Sequence, residues 1–131
     1  MKIIIETIPH EKQEYETCGN WKIHEDGSIH IFVSELSDWR REALIAVHEL
    51  AEVLMCKHAG ITTETVDKFD KDFEAHRHPD DESEPGDEPS APYVTQHCIA
   101  TGIERILAAA LGVKWKPYEE ELSSLPEVPE K

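Results

Sequence analysis

Asn20-Trp21-Lys22-Ile23-His24, then Glu25-Asp26-Gly27-Ser28, then Ile29-His30-Ile31-Phe32-Val33: the reading of this stretch decides the fold. Two runs of alternating apolar residues flank an Asp-Gly pair, which is a strong short-range hairpin signal. In the second run Ile29, Ile31 and Val33 share one face, with His30 and Phe32 on the other. Upstream, Ile3 to Ile8 reads as a further strand, closed by Pro9. Downstream the period changes. Ser37 and Asp38 offer helix caps before Trp39. From Trp39 to His58, Leu44, Val47, Ala51 and Leu54 recur at helical spacing, and Gly60 supplies the stop.

Two more helices follow. Thr63 can cap one over about Glu64 to Ala75, with Val66, Phe69 and Phe73 as its buried stripe. Pro92 can open another, running to about Leu111 and ended by Gly112. This last helix is apolar nearly all round, through Ile99, Ile103, Ile106, Leu107 and Leu111. It is therefore expected to be the most buried helix. Trp115 and Tyr118 are expected to pack a short segment back on the body. A strand, a hairpin and three helices give an α+β class, with a small antiparallel N-terminal sheet packed on the helices.

The chain has 131 residues, enough for one domain, and is 39% hydrophobic. Its net charge of −15 disfavours a nucleic-acid backbone or an anionic membrane as partner. No apolar run approaches the length of a membrane span. The charge is uneven: His76 to Pro92 holds six acids and Pro117 to Lys131 holds five, each with one Lys or Arg. Without them the body carries −6. The expected organisation is one domain over 1–122, with a mobile acidic loop at 76–92, and a disordered acidic tail over 123–131. Cys18, Cys56 and Cys98 form no C-x-x-C pair. With no secretion signal, the expected compartment is the reducing cytoplasm.

The sharpest chemical feature is His48-Glu49-Leu50-Ala51-Glu52, in the middle of the first helix. At about 100° per residue, His48, Glu49 and Glu52 share roughly 100° of arc. An imidazole and a carboxylate one turn apart can reach the same divalent ion, and the carboxylate beside the imidazole can take a proton from metal-bound water. The plain alternative is a solvated helix face. On the third helix, His97, Thr101 and Glu104 line one stripe of an otherwise apolar surface. Buried ionisable groups need partners. The economical reading sets His97 and Glu104 against His48, Glu49 and Glu52 across a helix–helix contact. Either a divalent metal binds there, or a structural network links His97 to Glu52 and Glu104 to Arg40, Arg41 or the Arg105 of a neighbour. Asp67, Asp70 and Glu74 on the second helix read as an exposed charged face, with Lys68 and Lys71 nearby. They remain candidates for a ligand or a substrate contact. Glu84-Pro85-Gly86-Asp87 is a turn or part of a lid.

The strand Ile29-His30-Ile31-Phe32-Val33, the pair Arg40-Arg41 and the helix Ala46-Val47-His48-Glu49-Leu50-Ala51-Glu52 together resemble the small zincin-like metallopeptidases. That group includes the intracellular kind found in phages and mobile elements. The resemblance covers about Ile29 to His58. It implies that His48 is the first metal ligand and Glu49 the catalytic base. Glu52 occupies the second ligand position, where the motif has a histidine. His97 is the candidate third ligand, with Glu104 next. The implied cofactor is Zn²⁺, with Mn²⁺ or Mg²⁺ as harder alternatives. The implied partner is a peptide or protein substrate, added to the edge strand at about Ile29 to Val33. Two other functions stay open. One is a catalytically degenerate binding protein on the same scaffold. The other is a Mg²⁺-dependent nucleotide pyrophosphohydrolase, using Glu49-x-x-Glu52 with Asp67-x-x-Asp70.

Overall fold

The computed structural model describes all residues from 1 to 131. Three strands, β1 (Ile3–Ile8), β2 (Gly19–Ile23) and β3 (Ile29–Ser34), precede four helices: α1 (Trp39–Ala59), α2 (Thr63–Ala75), α3 (Val94–Ala110) and α4 (Trp115–Ser123). The class is α+β. The hairpin forms as its sequence directs. β2 and β3 pair antiparallel, with Trp21 opposite Ile31 and Ile23 opposite Ile29, and Gly27 adopts a positive φ in the connection. Ile29, Ile31 and Val33 are fully buried on the face toward α1.

The sheet is mixed, which corrects the expected all-antiparallel arrangement. The strand order is β1-β3-β2, and β1 runs parallel to β3 from Ile3 opposite Ile29 to Ile8 opposite Ser34. The segment from Pro9 to Cys18 carries the chain past the slot that β3 later fills. The most apolar inner face thus takes the centre of the sheet. Because β3 is paired on both sides, a substrate peptide cannot add to Ile29–Val33, as the sequence reading expected.

Asp38 caps α1 by accepting from the Arg40 N–H at 2.9 Å, and Gly60 ends the helix in the left-handed region. α1 lies over the sheet and along α3. The second correction concerns α3. Its isoleucines face outward: Ile99 is 48% exposed, Ile103 39% and Ile106 73%. Its inward stripe is His97, Ala100, Glu104 and Ala108. The two small alanines let α1 approach closely, and the two polar residues find partners there. The short segment expected around Trp115 and Tyr118 is α4, a fourth helix, with Tyr118 fully buried. The tail after α4 has no further helix or strand; the Val128 N–H donates to Glu16 Oε2 at 2.7 Å. Within 76–92, Pro85–Asp87 forms a 3-10 turn, set against α2 and α3. No helix is long and apolar enough to cross a membrane.

Candidate metal centre

The buried stripe of α1 runs Leu44, Ile45, His48, Glu52, Val53 and Cys56. Helical spacing puts His48 and Glu52 one turn apart in the middle of it. Opposite them stand His97 and Glu104 of α3, so all four ionisable residues are buried in the helix–helix contact. The His48 and His97 rings meet edge to face, with centroids 4.8 Å apart.

Glu52 Oε2 is the centre of the arrangement. His48 Nε2 lies 3.2 Å from it and His97 Nδ1 lies 3.0 Å from it. The other Glu52 oxygen accepts from the indole N–H of Trp21 at 3.0 Å. The far nitrogen of His48, Nδ1, donates to Glu104 Oε1 at 2.8 Å, and Tyr118 Oη donates to Glu104 Oε2 at 2.7 Å. The far nitrogen of His97, Nε2, lies 2.9 Å from Glu84 Oε2 and 3.3 Å from Asp87 Oδ1, both on the 3-10 turn. Those approaches are ion-pair distances without hydrogen-bond alignment, and Nε2 is left with no hydrogen-bond partner.

The electrostatics follow from this packing. Burial lowers the His48 basicity, but hydrogen bonds to Glu104 and Glu52 outweigh it and raise the ring to about 11. For His97, burial is likewise outweighed by Glu52 and Glu84, and the ring rises to about 10. Burial would raise Glu52, but the two histidine rings hold it down to about 2. Without a metal, the cluster is thus two imidazolium rings among carboxylates.

Glu49 differs. Burial, then the Glu52 charge, raises its carboxyl to about 8, and no hydrogen bond tethers it. It faces a cavity of about 150 Å³ that also reaches His48, Glu52, His97, Asp70 and Glu74. Gly19 of β2 lies directly over it: a Cβ there would fall 2.6 Å from Ile45 Cγ2 and 2.8 Å from Glu49 Oε1. On the opposite wall, a Cβ at Gly86 would fall 2.4 Å from the His97 ring. Two glycines thus let backbone close on the site from both sides.

His48 Nε2, Glu52 Oε2 and His97 Nδ1 fit a divalent cation. Atoms of the three residues lie within 4.8 Å of one another. Their close contacts match the spacing of about 3.3 Å that tetrahedral ligands at 2.0–2.1 Å adopt. For His48, Glu104 at the other nitrogen is the usual outer support of a ligating histidine, while His97 Nε2 has the Glu84 and Asp87 carboxylates near it but out of line. Glu104 thus sits beyond His48, and not among the three converging donors.

The arginine partners that a structural network would have used are engaged elsewhere. Arg40 pairs with Asp38 and Arg41 with Glu121, while Arg105 lies over the Trp115 ring. Thr101 turns back to the His97 carbonyl. On α2, Lys68 and Asp72 form an exposed pair, as an outer face requires. Asp70, in contrast, turns inward to accept from Tyr15 and Tyr93, and burial raises it to about 7. Cys98 is exposed, away from the site.

Sequence reasoning missed Trp21, Tyr118, Tyr15 and Tyr93 as partners of the acids. Their only local signal was a polar atom on an aromatic ring that burial obliges to find a partner. A scan of family models, a search of curated proteins and a search of solved structures each found no match to the chain.

Proposed function

We propose that this protein is a metal-dependent hydrolase of peptide or related acyl bonds, with His48, Glu52 and His97 as ligands and Glu49 as general base. One observation carries the reading. Two histidine nitrogens from different helices converge on one carboxylate oxygen at a cavity wall, and the untethered carboxylate of Glu49 faces the same cavity. The donor set of two imidazoles and one carboxylate suits Zn²⁺ first and Mn²⁺ second. When bound, such an ion supplies Lewis acidity, activating water and polarising the scissile carbonyl.

The chain's own residues do the rest. Glu104 and Tyr118 hold the His48 ring in one orientation. Trp21 holds Glu52. Glu49, with its proton affinity raised by burial, accepts the proton of the attacking water and returns it to the leaving group. The stretch Gly19-Asn20-Trp21 of β2 lines the cavity beside Glu49. It takes the place of Ile29–Val33 as the backbone against which an extended substrate lies.

A second reading rests on the metal-free network around His48. Both His48 nitrogens already have carboxylate partners, so the cluster can serve as a metal-free scaffold in a binding protein. Metal analysis of untagged protein purified without chelator separates the two readings. The hydrolase reading expects one Zn²⁺ or Mn²⁺ per chain at the His48–Glu52–His97 position, and expects that ion to be lost in H48A and H97A. It expects E49Q to keep the ion and lose turnover of a casein or peptide-library substrate at least a hundredfold. No bound ion in the wild type, and none after Zn²⁺ addition, selects the scaffold.

A further inference from the structure

We propose a second cation subsite on the outer side of His97, formed by His97 Nε2, Glu84 Oε2 and Asp87 Oδ1, so that one imidazole ring bridges two metal positions. This rests on the function proposed above only in sharing His97.

His97 Nε2 has two carboxylates at ion-pair distance but no aligned hydrogen-bond partner. His97 is 5% exposed, and its Nε2 is buried without a hydrogen-bond partner. Such an atom costs free energy unless something else satisfies it. Two carboxylate oxygens stand at 2.9 and 3.3 Å from it, out of line for a hydrogen bond. Those separations suit ligands arranged around a common ion, which brings donors to about 3.3 Å from each other without lying along an N–H direction. Atoms of the three residues all fall within 4.8 Å of one another.

The turn is built to stay there. Asp87 Oδ2 accepts from the Glu84 N–H at 3.2 Å, which leaves Oδ1 toward the ring. Gly86 has no side chain, so the turn backbone sits against the imidazole. The cavity side of His97 is already acid-rich, with Glu49, Glu52 and Glu104 facing it, and a second dication offsets the added charge of Glu84 and Asp87. With both positions filled, the ring's last N–H proton passes to solvent and each nitrogen donates one lone pair. One imidazole with two carboxylates is a harder set than the inner one, suited to Zn²⁺ or Mn²⁺. The Glu84 and Asp87 side chains remain about half exposed, which leaves coordination positions open to solvent.

Equilibrium titration of the full chain with Zn²⁺, against a chromophoric chelator, tests this without any activity assay. The expected stoichiometry is two ions for the wild type, one for E84Q/D87N and one for H48Q. E84Q/D87N is expected to weaken the outer ion at least tenfold. D80N/E82Q removes equal charge from the same segment and is expected to retain both ions. Circular dichroism checks that each variant is folded. A wild-type stoichiometry of one that E84Q/D87N leaves at one overturns the proposal, and makes the two acids hydrogen-bonding supports of His97. Equal loss in D80N/E82Q also overturns it, as general charge attraction. If H48Q binds as many ions as the wild type, the inner site fails, whatever the outer one does.

Discussion

Replacing Gly86 with alanine isolates what the turn over His97 contributes. A Cβ at this position would lie 2.4 Å from His97 Cγ, 2.5 Å from Nδ1 and 2.8 Å from Cδ2. Carbon atoms rest at about 3.5 Å or more, so roughly 1 Å of separation must be found. The ring has little freedom to supply it, because Glu52 holds Nδ1 at 3.0 Å and the ring packs edge to face on His48 and Tyr93. The turn must therefore retreat, taking Glu84 from 2.9 Å to about 4 Å from Nε2 and breaking the ion pair. Gly86 is not among the positive-φ glycines, so backbone strain adds nothing and the effect is purely steric. Overpacking of this kind costs about 1–3 kcal/mol. At roughly 3 °C per kcal/mol for a chain of this size, Tm falls by about 3–9 °C. Gly102 provides the opposite control. It lies inside α3, where an added methyl group would meet nothing within 4 Å, so G102A should gain about 0.5–1 kcal/mol from helix propensity. Urea unfolding of chelator-treated protein, followed by circular dichroism, reads both changes. A G86A unfolding free energy within about 0.5 kcal/mol of wild type, or one moving in the same direction as G102A, refutes the account of the turn.

Two further outcomes are expected. The Glu49 carboxyl is raised from 4.5 to about 8 by burial and then by Glu52, so its contribution to stability is fully present below pH 4.5 and is lost as pH rises through 8. At pH 7 that loss is on the order of 3 kcal/mol, so metal-free E49Q should be more stable than wild type by this order near pH 7 and indistinguishable from it near pH 4. The same stability difference at pH 4 and pH 8, by urea titration, contradicts the assignment. Tyr118→Phe removes only the hydroxyl that donates to Glu104 at 2.7 Å in a buried setting, and should cost about 1–3 kcal/mol. An unchanged urea midpoint would show that Glu104 finds another donor.

Local pattern carried the hairpin, the extents of α1 and α2 and the class of fold, because side-chain period is written in neighbouring residues. However, Thr62 and not Thr63 caps α2, and Leu54 is exposed where Val53 and Cys56 are buried. Local pattern also carried the meeting of His48 and Glu52 with His97 and Glu104. His48 and Glu52 are one turn apart, and His97 and Glu104 are seven residues apart on a helix with few other polar groups. The need of buried charge for a partner was enough to set the two pairs face to face. What local pattern could not carry was any choice among alternatives of equal local quality. α3 offers apolar residues on every side, and only the fit of Ala100 and Ala108 against α1 turned the isoleucines outward. β1 could pair with either edge in either direction, and the order β1-β3-β2 was decided by the apolar face of β3 taking the centre. The partners of the site residues come from other elements. Trp21 lies 31 residues from Glu52 in the chain and Tyr118 lies 14 from Glu104, while the Glu84–Asp87 turn reaches His97 from outside α3. Periodicity has no reach from one element to the next, so those contacts exist only once the tertiary fold has brought the elements together.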